Sequence, residues 1–399
     1  ALALDIHSPQ LFLNLGALLA ATRRFAEAEA VYGRGLSLAP VSAALWSNLG
    51  VLLDCQKHEV KARACYAAAL SSDENHASAR FNLAYLLLRQ GDLQAGFACL
   101  EARDWYAAFA RELGEKRAIP RWQGEPVQGK ALLIVCEAGH GDMIQFCRYA
   151  VELKRRGAAR VEVLCHPALV RLFASLDGAD AIHTLGAPLP GQRWDVWSPP
   201  LSLPHFCDTR LSTIPARTPY LHATAADLAK WASLLPGSRP RIGLVWQGNP
   251  KFENDAERSI PHLATLAPLY SLAGAHFISL QKGAGEDEIR ELQPSPPILA
   301  LGSDLQDFAD TAAVISQLDL LISVDTAVAH LAGALGKPCW VLLPDYKTDW
   351  RWLKEREDSP WYLSLRLFRQ PAAGGWPAVM PELAQALAEF IAHVNPATR

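Results

Sequence analysis

The stretch LLISVDTAVAHLAGALGKPCWVLLP, residues 320–344, has the residue pattern of a strand, a turn, a helix, a second turn and a second strand. Asp325 and Thr326 occupy the first turn, and His330 follows one helical turn later. A segment that only had to pack in a core would not place a carboxylate and a hydroxyl where the strand ends. Because open α/β sheets bind ligands outside the carboxyl ends of their strands, this stretch predicts both an α/β fold and a binding site.

The same alternation of strands and helices extends over most of the chain after residue 130. Its apolar runs fall into two groups, divided near SLLPGSRP at residues 233–240. We therefore expect two doubly wound, Rossmann-like domains, residues 130–236 and 237–370, facing each other across a cleft, and a last helical segment at 371–399. The further strand-like runs that support this interpretation are RVEVLC at 160–165, RIGLVWQ at 241–247, HFISLQ at 276–281 and CWVLLP at 339–344.

The first quarter of the chain contains an internal repeat. Asn14, Asn48 and Asn82 stand at an interval of 34 residues, and each precedes Leu and then Gly or Ala. Ala28 and Ala62, and then Tyr32 and Tyr66, keep the same interval. The pattern resembles the tetratricopeptide repeat, in which two antiparallel helices need a small residue where they cross and an aromatic residue that fills the gap.

The repeat predicts a helical solenoid of three units over residues 1–102, followed by a linker at 103–129. The concave face of such a solenoid commonly binds a peptide or a partner protein. The alternative is that three repeats only cap the next domain or form a homodimer. The repeat pattern itself does not identify the ligand.

Composition and charge exclude several classes of protein. Lys and Arg number 38 against 41 Asp and Glu, a formal net charge of −3, and no basic block occurs, so we expect no nucleic-acid partner. The eight cysteines are scattered without a CxxC pair, which predicts free thiols in a reducing compartment. Neither a run of about 18 apolar residues nor an apolar leader is found, so we expect no membrane span and a cytoplasmic protein. The chain opens inside a helical pattern, as a chain lacking its native amino terminus would.

The first predicted strand of the α/β region runs into EAGHGDMIQF, residues 137–146, where two glycines loosen a turn. We expect a helix to start near Met143, which puts Asp142 at its N-cap position. Asp142 is then either a capping carboxylate or a general base in the cleft. His140 on the same turn, and Gln145 and Arg148 on the following helix, are candidates for the acceptor side.

Two further loops follow predicted strands and carry cations or amides. Lys251 and Arg258 lie in GNPKFENDAERSIP, after the strand that ends near Gln247, and ISLQKGAGEDE places Gln281 and Lys282 on the same rim. Ammonium and guanidinium groups match the charge of a phosphate, and Arg can bind it with two hydrogen bonds. The alternative is that these charges only keep the loops soluble.

The loop quoted first completes the predicted site. A helix that begins at Thr326 or Ala327 directs its free N–H groups and its dipole at the cleft, which favours an anion there. Asp325 would cap this helix or bind a sugar hydroxyl, and His330 is either a ligand-binding group or a histidine of the core. Four polar loops at strand ends together predict a nucleotide-phosphate site between the two domains.

The region from about residue 131 to residue 370 is similar to tetratricopeptide-repeat glycosyltransferases of bacteria, which are related to the heptosyltransferase family, glycosyltransferase family nine. The similarity is densest in FADTAAVISQLDLLISVDTAVAHLAGALGKPCWVLLP and in DWRWLKEREDSPWYLSLRLFRQ, from residue 307 onward. The resemblance implies a GT-B fold with an acceptor domain at 130–236 and a donor domain at 237–370. It further implies a nucleotide-sugar donor, inversion at the anomeric carbon and no essential metal or cofactor.

The resemblance also implies roles for single residues. Asp142 falls on the proposed base, and Asp325, Thr326 and His330 match a D-T-x-x-x-H motif at the donor site. Around Asp142 the chain departs from the heptosyltransferase pattern. The complete set predicted to bind the donor is Gln247, Asn249, Lys251, Arg258, Gln281, Lys282, Ser323, Asp325, Thr326 and His330.

The sequence thus predicts an inverting, metal-independent glycosyltransferase. Its acceptor is expected to be a protein hydroxyl recruited by the repeats, and similar repeat-transferase fusions imply a flagellin-like surface protein. A glycan- or lipid-directed transferase is the alternative within this enzyme class. A binding scaffold with an inactive transferase domain, or a nucleotide-sugar epimerase on the same fold, are the alternatives outside it.

Overall fold

We describe the chain from a computed structural model, in which residues 8–191, 193–238, 240–372 and 374–394 are described. The ends of the predicted repeat region and of the predicted last helical segment, residues 1–7 and 395–399, lie outside these ranges. The structure divides into two units. The helical unit contains the chain up to Asp104 together with Asp208–Ser212 and Asp349–Lys354, and the sheet unit contains the remainder.

The helical unit consists of consecutive helix pairs. The first helices of the pairs begin at residues 9, 43 and 77 and the second helices at 25, 59 and 93, so both sets repeat every 34 residues, as the Asn spacing does. Ser42 and Asp92 cap two of the helices by accepting from the backbone N–H groups of Leu45 and Ala95. The helices are α1 Pro9–Ala21, α2 Phe25–Leu38, α3 Ala43–Cys55, α4 Glu59–Ser72, α5 Ala77–Arg89 and α6 Leu93–Leu100.

A glycine and a tyrosine fix how closely the two helices of a pair approach. A Cβ atom on Gly50 would lie 2.5 Å from the ring of Tyr66, and one on Gly16 would lie 2.3 Å from the ring of Tyr32. Both tyrosines are buried. The structure therefore shows the small residue and the aromatic residue in contact, while the assignment to the tetratricopeptide class stays a prediction.

The segment Asp349–Lys354 differs from the predicted boundaries, because the sequence placed it in the domain at 237–370. In the structure it packs within the helical unit. The ring of Trp350 meets that of Phe97 edge to face at 5.5 Å between centroids, and Lys354 lies 2.8 Å from the Glu59 carboxylate. A buried aromatic contact with α6 therefore binds these residues to the helices.

The sheet unit contains two parallel sheets in its described part, which confirms a helical region followed by parallel α/β domains. The first sheet has the strand order β3-β2-β1-β4, and the second has the order β10-β9-β8-β5-β6-β7. The strands are β1 Ala131–Val135, β2 Arg160–Cys165, β3 Ala181–Thr184, β4 Val196–Ser198, β5 Arg241–Val245, β6 His276–Ser279, β7 Ile298–Ala300, β8 Leu320–Val324, β9 Cys339–Leu343 and β10 Leu365–Arg369.

α-Helices lie between most of the strands that follow one another in the chain. The central strands β8 and β9 are buried along their whole length, as the continuous apolar runs predict for strands covered on both faces. The α-helices of this unit are α7 Ala107–Phe109, α8 His140–Phe146, α9 Tyr149–Arg155, α10 Val170–Phe173, α11 Leu203–Phe206, α12 Ala225–Ala232, α13 Asp255–Arg258, α14 Ala267–Tyr270, α15 Glu288–Glu291, α16 Phe308–Ser316, α17 Ala327–Ala334 and α18 Met380–Val394.

The order of the second sheet creates a crevice at its centre. From β5 the chain proceeds to β6 on one side, whereas from β8 it proceeds to β9 on the other side. The two neighbouring strands run in register, with Val245 opposite Ser323, so the loops that follow them leave the sheet side by side. Such a switch point is where ligands bind in open α/β sheets.

The described residues contain no helix that combines the length and the apolar character needed to cross a membrane. The eight cysteines are all free, and six of them are buried.

Candidate active site

Arg258 lies at the switch point and is held from two sides. Its Nη1 donates to the backbone oxygen of Asp325 at 3.0 Å, which ties the loop after β5 to the loop after β8, and its Nε donates to the Asp255 carboxylate at 3.0 Å. The guanidinium also lies 4.4 Å from the centre of the Phe252 ring. The cation is therefore positioned by the fold before any ligand binds.

Gly248 leaves room for the side chains of Asp255 and Arg258, because it has no side chain of its own. A Cβ atom at position 248 would lie 2.5 Å from Oδ1 of Asp255 and 2.6 Å from Nη2 of Arg258, so a side chain there would force both of these groups to move. The Gly248 N–H donates to Ser259 Oγ at 2.8 Å and fixes the turn. The glycine thus allows the Arg258 guanidinium to lie against the backbone, in addition to any flexibility that it gives the loop.

Lys251 is the exposed cation of the same loop. Its N–H donates to Oδ1 of Asn249 at 3.0 Å, which stabilises a turn and leaves the ammonium group exposed. Sequence reasoning missed a second exposed cation, Lys347, in the loop after β9; its backbone oxygen accepts from Asn254 at 3.0 Å. The signal that could have found Lys347 is its place just after a strand end, in PDYKTDW.

Gln281, which the sequence predicts to bind the donor, has a side chain that is hydrogen-bonded to the protein itself. This side chain is 2% exposed, and its Oε1 accepts from the N–H groups of Trp246 and Gln247 at 2.9 and 3.0 Å. Its Nε2 donates to the oxygens of Gln247 and Ala284 at 3.1 and 2.7 Å. Both the oxygen and the nitrogen of the amide are hydrogen-bonded to backbone groups. Gln281 therefore joins two loops, and its amide is not available to a ligand.

Two other residues that the sequence predicts to bind the sugar donor are also hydrogen-bonded to the protein itself. The Gln247 amide donates to the oxygen of Pro261 at 3.0 Å and to Glu288 at 2.9 Å. The Lys282 ammonium donates to the oxygens of Gly302 and Leu305 at 3.1 and 2.8 Å, although the residue is exposed. Both residues lie on the rim of the crevice, and both have protein partners there.

The start of α17 forms the other wall of the crevice. Thr326 is the N-cap residue, but its hydroxyl does not cap the helix and lies 3.2 Å from Ser323 Oγ. The N–H groups of the first turn of α17 and the anchored Arg258 are therefore both at the switch point, a combination suited to a diphosphate.

His330 is buried on α17, with 6% of its surface exposed. Its Nδ1 lies 3.1 Å from the hydroxyl oxygen of Tyr362, and its Nε2 lies 4.0 Å from Oδ1 of Asp325. Tyr362 in turn packs on α17, since a Cβ at Gly333 would lie 2.3 Å from the Tyr362 ring. Sequence reasoning missed Tyr362, which stands 32 residues from its partner.

The first sheet brings α8 against α17. A Cβ on Gly141 would lie 3.0 Å from Cδ2 of His330 and 3.5 Å from Cα of Ala327, so the starts of the two helices are in close contact. Helix α8 begins at His140 and not near Met143 as expected, because Gly139 is the N-cap residue.

Asp142 is therefore the third residue of α8. Its carboxylate accepts from the backbone N–H of Gly139 at 2.8 Å, so it caps the helix start from the N3 position and not from the expected N-cap position. The residue remains partly exposed beside Gly141 and hence near the start of α17. Its role as a base stays a prediction.

His140 lies at the junction of the two sheets. Its ring is 4.8 Å from that of His166 and 5.2 Å from that of Phe308 at the start of α16. Burial, together with the neighbouring His166, lowers the pKa of His140. An imidazole that stays neutral in this position can accept a proton, so His140 is kept as an acceptor-side candidate.

Gln145 and Arg148, which the sequence places on the acceptor side, lie in the core. Gln145 is fully buried, and Arg148 is 2% exposed. Arg148 donates to the oxygens of Gln145 at 2.8 Å and Trp361 at 2.7 Å, and to the Tyr220 hydroxyl at 3.0 Å. Burial of this charge is offset by these bonds, so Arg148 is a core residue that joins the two domains of the sheet unit.

The cations and N–H groups of the crevice are groups that bind anions. Among the described residues, no three His, Cys, Asp or Glu side chains are grouped so that they could hold a metal ion. The cations and helix N–H groups described above are the available ligand-binding groups, and they match phosphate oxygens.

The comparison with protein families places the match on this crevice. Residues 281–342, which contain β8, α17 and all of β9 except Leu343, match the family model Glycosyltransferase family 9 (heptosyltransferase). The matched segment is thus similar to a class of glycosyltransferases, the enzyme class predicted from the sequence. More particularly, it is similar to family 9, and this confirms the resemblance stated above.

One curated relative is similar over most of the chain. Protein FlbA of Caulobacter vibrioides is 29% identical over 359 residues, which cover 80% of this chain and 56% of the relative. The chain therefore spans about half the length of this relative.

Solved structures are similar to about two thirds of the chain and, in one case, to nearly all of it. A family 9 glycosyltransferase of Veillonella parvula is 13% identical, covers 67% of this chain and 98% of its own, and has a TM-score of 0.49. The ADP-heptose lps heptosyltransferase II of E. coli is 16% identical, with coverage of 65% and 99% and a TM-score of 0.46. A mutant O-GlcNAc transferase of Thermobaculum terrenum is 15% identical, with coverage of 97% and 92% and a TM-score of 0.29.

Proposed function

We propose that this protein transfers a sugar from a nucleotide-sugar to a hydroxyl acceptor, with inversion and without a metal ion. The observation that carries the proposal is the crevice between β5 and β8. There Arg258 is fixed on the backbone of Asp325, and the first turn of α17 offers its N–H groups. A nucleoside diphosphate fits this crevice by charge and by hydrogen-bond geometry.

In the proposed step the acceptor oxygen attacks the anomeric carbon of the sugar. The bond from that carbon to the diphosphate oxygen breaks, and the nucleoside diphosphate leaves with the electron pair. Arg258, the exposed Lys251 and the start of α17 stabilise the negative charge that develops on the leaving group. These groups take the part that a divalent cation plays in other transferases.

The proton of the acceptor needs a base, and we assign this role to Asp142. The support is its position: Gly141, the preceding residue, contacts His330 and the start of α17, so the carboxylate is near the donor site. General base catalysis contributes typically about 10²–10⁴-fold to rate. His140, half-buried at the same helix start, is assigned to the acceptor side.

We further propose that the acceptor is a protein hydroxyl, bound through the helical unit as a tetratricopeptide-type surface. The 34-residue period of both helix sets supports the repeat class, and such repeats commonly bind peptides. A flagellin-like surface protein is the acceptor that we would test first. A glycan acceptor, or a chain that binds the donor without turnover, are outcomes that the experiment separates.

The first experiment is a thermal-shift panel of UDP, GDP, ADP, CMP and dTDP. A ligand at about 100 times its dissociation constant stabilises a protein by roughly 2.7 kcal/mol, which gives a clear shift. We expect one nucleotide to shift the wild type and to shift Lys251→Ala and Asp325→Ala less. The matched control is Arg155→Ala, because Arg155 is an equally exposed cation, 73% accessible, at the carboxyl end of α9 and thus at the opposite edge of the first sheet.

The second experiment measures hydrolysis of the matching nucleotide-sugar and its transfer to protein in a cell extract. Slow hydrolysis without acceptor, lost in Asp325→Ala, supports the transferase. No shift with any of the five nucleotides contradicts the proposed donor site. Binding without turnover contradicts the proposed activity, and a changed sugar that remains on its nucleotide identifies an epimerase.

A further inference from the structure

Three buried side chains connect the core of the sheet unit to His330, and none of them is explained by the donor site alone. Arg148 comes from the turn after α8, Tyr220 from the segment before α12, and Tyr362 from the segment before β10. All three are at most 3% exposed. They form a continuous set of hydrogen bonds that ends on Nδ1 of the histidine, inside the crevice wall.

Arg148 is the fixed end of this set. Its Nη1 donates to the oxygen of Trp361 at 2.7 Å and its Nη2 donates to the Tyr220 hydroxyl at 3.0 Å. Its guanidinium carbon lies 4.5 Å from the centre of the Tyr362 ring, and it is also hydrogen-bonded to the Tyr362 hydroxyl. Because Arg cannot accept a hydrogen bond, the hydroxyl oxygens of both tyrosines accept from it.

The hydrogen-bond partners of each tyrosine hydroxyl indicate where its single proton lies. The Tyr220 hydroxyl lies 2.9 Å from the backbone oxygen of Ile144, to which it can donate, and it is also hydrogen-bonded to the Tyr362 hydroxyl. The Tyr362 oxygen accepts from Arg148, and the Nδ1 atom of His330 is 3.1 Å away. A neutral imidazole nitrogen is a stronger acceptor than a phenol oxygen that already receives a bond from a guanidinium. Because the Tyr220 oxygen also receives a bond from Arg148, the difference in acceptor strength favours a Tyr362 proton on the line to Nδ1 over one on the line to Tyr220.

The other face of the imidazole supports the same assignment. If Nδ1 accepts, the ring proton is on Nε2, and Nε2 lies 4.0 Å from the carboxylate oxygen of Asp325. A negative charge at that distance favours the tautomer whose N–H faces it. Nε2 is also next to Gly141, where a Cβ would lie 3.7 Å away, so the proton points at the junction of α8 and α17.

We propose that Tyr362 is a positioning residue of the donor site, which fixes His330 as the Nε2–H tautomer so that this N–H donates to an oxygen of the nucleoside diphosphate. The proposal rests on the proposed function for the identity of the ligand. Gly333 belongs to the device, because only a glycine leaves room for the Tyr362 ring on α17. Arg148 and Tyr220 act through Tyr362 and touch no ligand.

The first test compares Tyr362→Phe with Tyr270→Phe. The former removes one hydroxyl and keeps the ring that packs on Gly333, while the latter removes a hydroxyl from a partly buried tyrosine of α14. Binding of UDP, GDP and ADP is measured by calorimetry, after thermal melts show that each variant is folded. We expect roughly 3- to 10-fold weaker binding of the preferred nucleotide for Tyr362→Phe, the value of one oriented hydrogen bond. Equal affinity of the two variants overturns the proposal.

The second test asks whether Tyr362 acts through the histidine. In His330→Gln the amide nitrogen can take the place of Nε2 and donate without help from Tyr362, whereas in His330→Asn it can only reach the place of Nδ1. We expect His330→Gln to keep most of the affinity and His330→Asn to lose it. Adding Tyr362→Phe to His330→Gln should then have no further effect. If Tyr362→Phe weakened nucleotide binding by the same factor in the wild type and in His330→Gln, Tyr362 would not act through His330.

The third test needs no ligand and so separates this inference from the proposed function. Nitrogen-15 NMR of histidine-labelled protein reports the tautomer, and the His330 signals are those missing from His330→Gln. We expect the Nε2–H form in the wild type and a mixture in Tyr362→Phe. An Nδ1–H form in the wild type overturns the proposal even if nucleotides bind. If no nucleotide binds and the Nε2–H form is found, the proposed function fails while the assigned proton arrangement stands.

Discussion

Replacement of Gly248 by alanine tests whether the anchored arginine binds the donor. Gly248 has no special backbone conformation, so alanine meets no backbone strain there. The new Cβ would instead lie 2.5 Å from Asp255 Oδ1 and 2.6 Å from Arg258 Nη2, and an ordinary contact of 3.4 Å requires each atom to withdraw by about 0.8–0.9 Å. The guanidinium must then leave the position in which it meets the Asp325 oxygen.

The expected loss follows from the bonds that this shift disturbs. A hydrogen bond to a charged group contributes about 1.5–3 kcal/mol, so the loss of one guanidinium–phosphate bond weakens binding by roughly 10- to 150-fold. Overall stability should change less than affinity, because the atoms that must move are the ends of two side chains in a loop.

Calorimetric titration of the nucleotide identified by the thermal panel measures the effect. The matched control is Gly237→Ala, since a Cβ at that glycine meets no atom within 4 Å. Unchanged affinity in Gly248→Ala would refute the assignment of Arg258 to the diphosphate. A loss of affinity equal to that in the control would refute the geometric argument.

Three further predictions concern other parts of the chain. Asp142→Ala should lower the rate of transfer by about 10²–10⁴-fold with little effect on nucleotide affinity, and a rate within a few-fold of wild type in a steady-state assay would remove Asp142 as the base. Tyr66→Ala should destabilise the helical unit by about 3–5 kcal/mol, because it empties a buried site against Gly50; urea unfolding followed by circular dichroism measures this. Burial raises the pKa of the Cys136 thiol to about 11, so iodoacetamide at pH 8 should not label Cys136 in the folded protein, and mass spectrometry should find labelling only after urea is added.

The sequence predicted best those residues whose position depends on local pattern. Asp325, Thr326 and His330 follow an apolar strand and begin an apolar helix, so strand and helix periodicity alone placed them at the carboxyl edge of a sheet. The 34-residue spacing located the helix pairs for the same reason. A local pattern determines where a loop leaves a sheet, and the site is a set of such loops.

The surroundings of Gln281 and Arg148, which the sequence did not indicate, depend on contacts between distant parts of the chain. Gln281 follows a strand as a ligand-binding residue would, but its amide bonds the backbone of Gln247, which no spacing in the sequence indicates. Arg148 meets the oxygen of Trp361, 213 residues later, and this contact explains why a charge is buried. A sequence shows which groups can form hydrogen bonds, whereas only the fold shows which of them have already done so.

Residues without any chemistry of their own complete the site. Gly248, Gly141 and Gly333 lie beside Arg258, His330 and Tyr362, and a Cβ on each would come within 3.0 Å of the side chain that it faces. These three side chains can therefore approach the backbone closely and are held there by packing. A search for charged and polar residues at strand ends finds the groups that face a ligand, but their geometry depends on these glycines and on buried partners such as Arg148. Substitutions at such positions should therefore change donor affinity although none of them touches the donor.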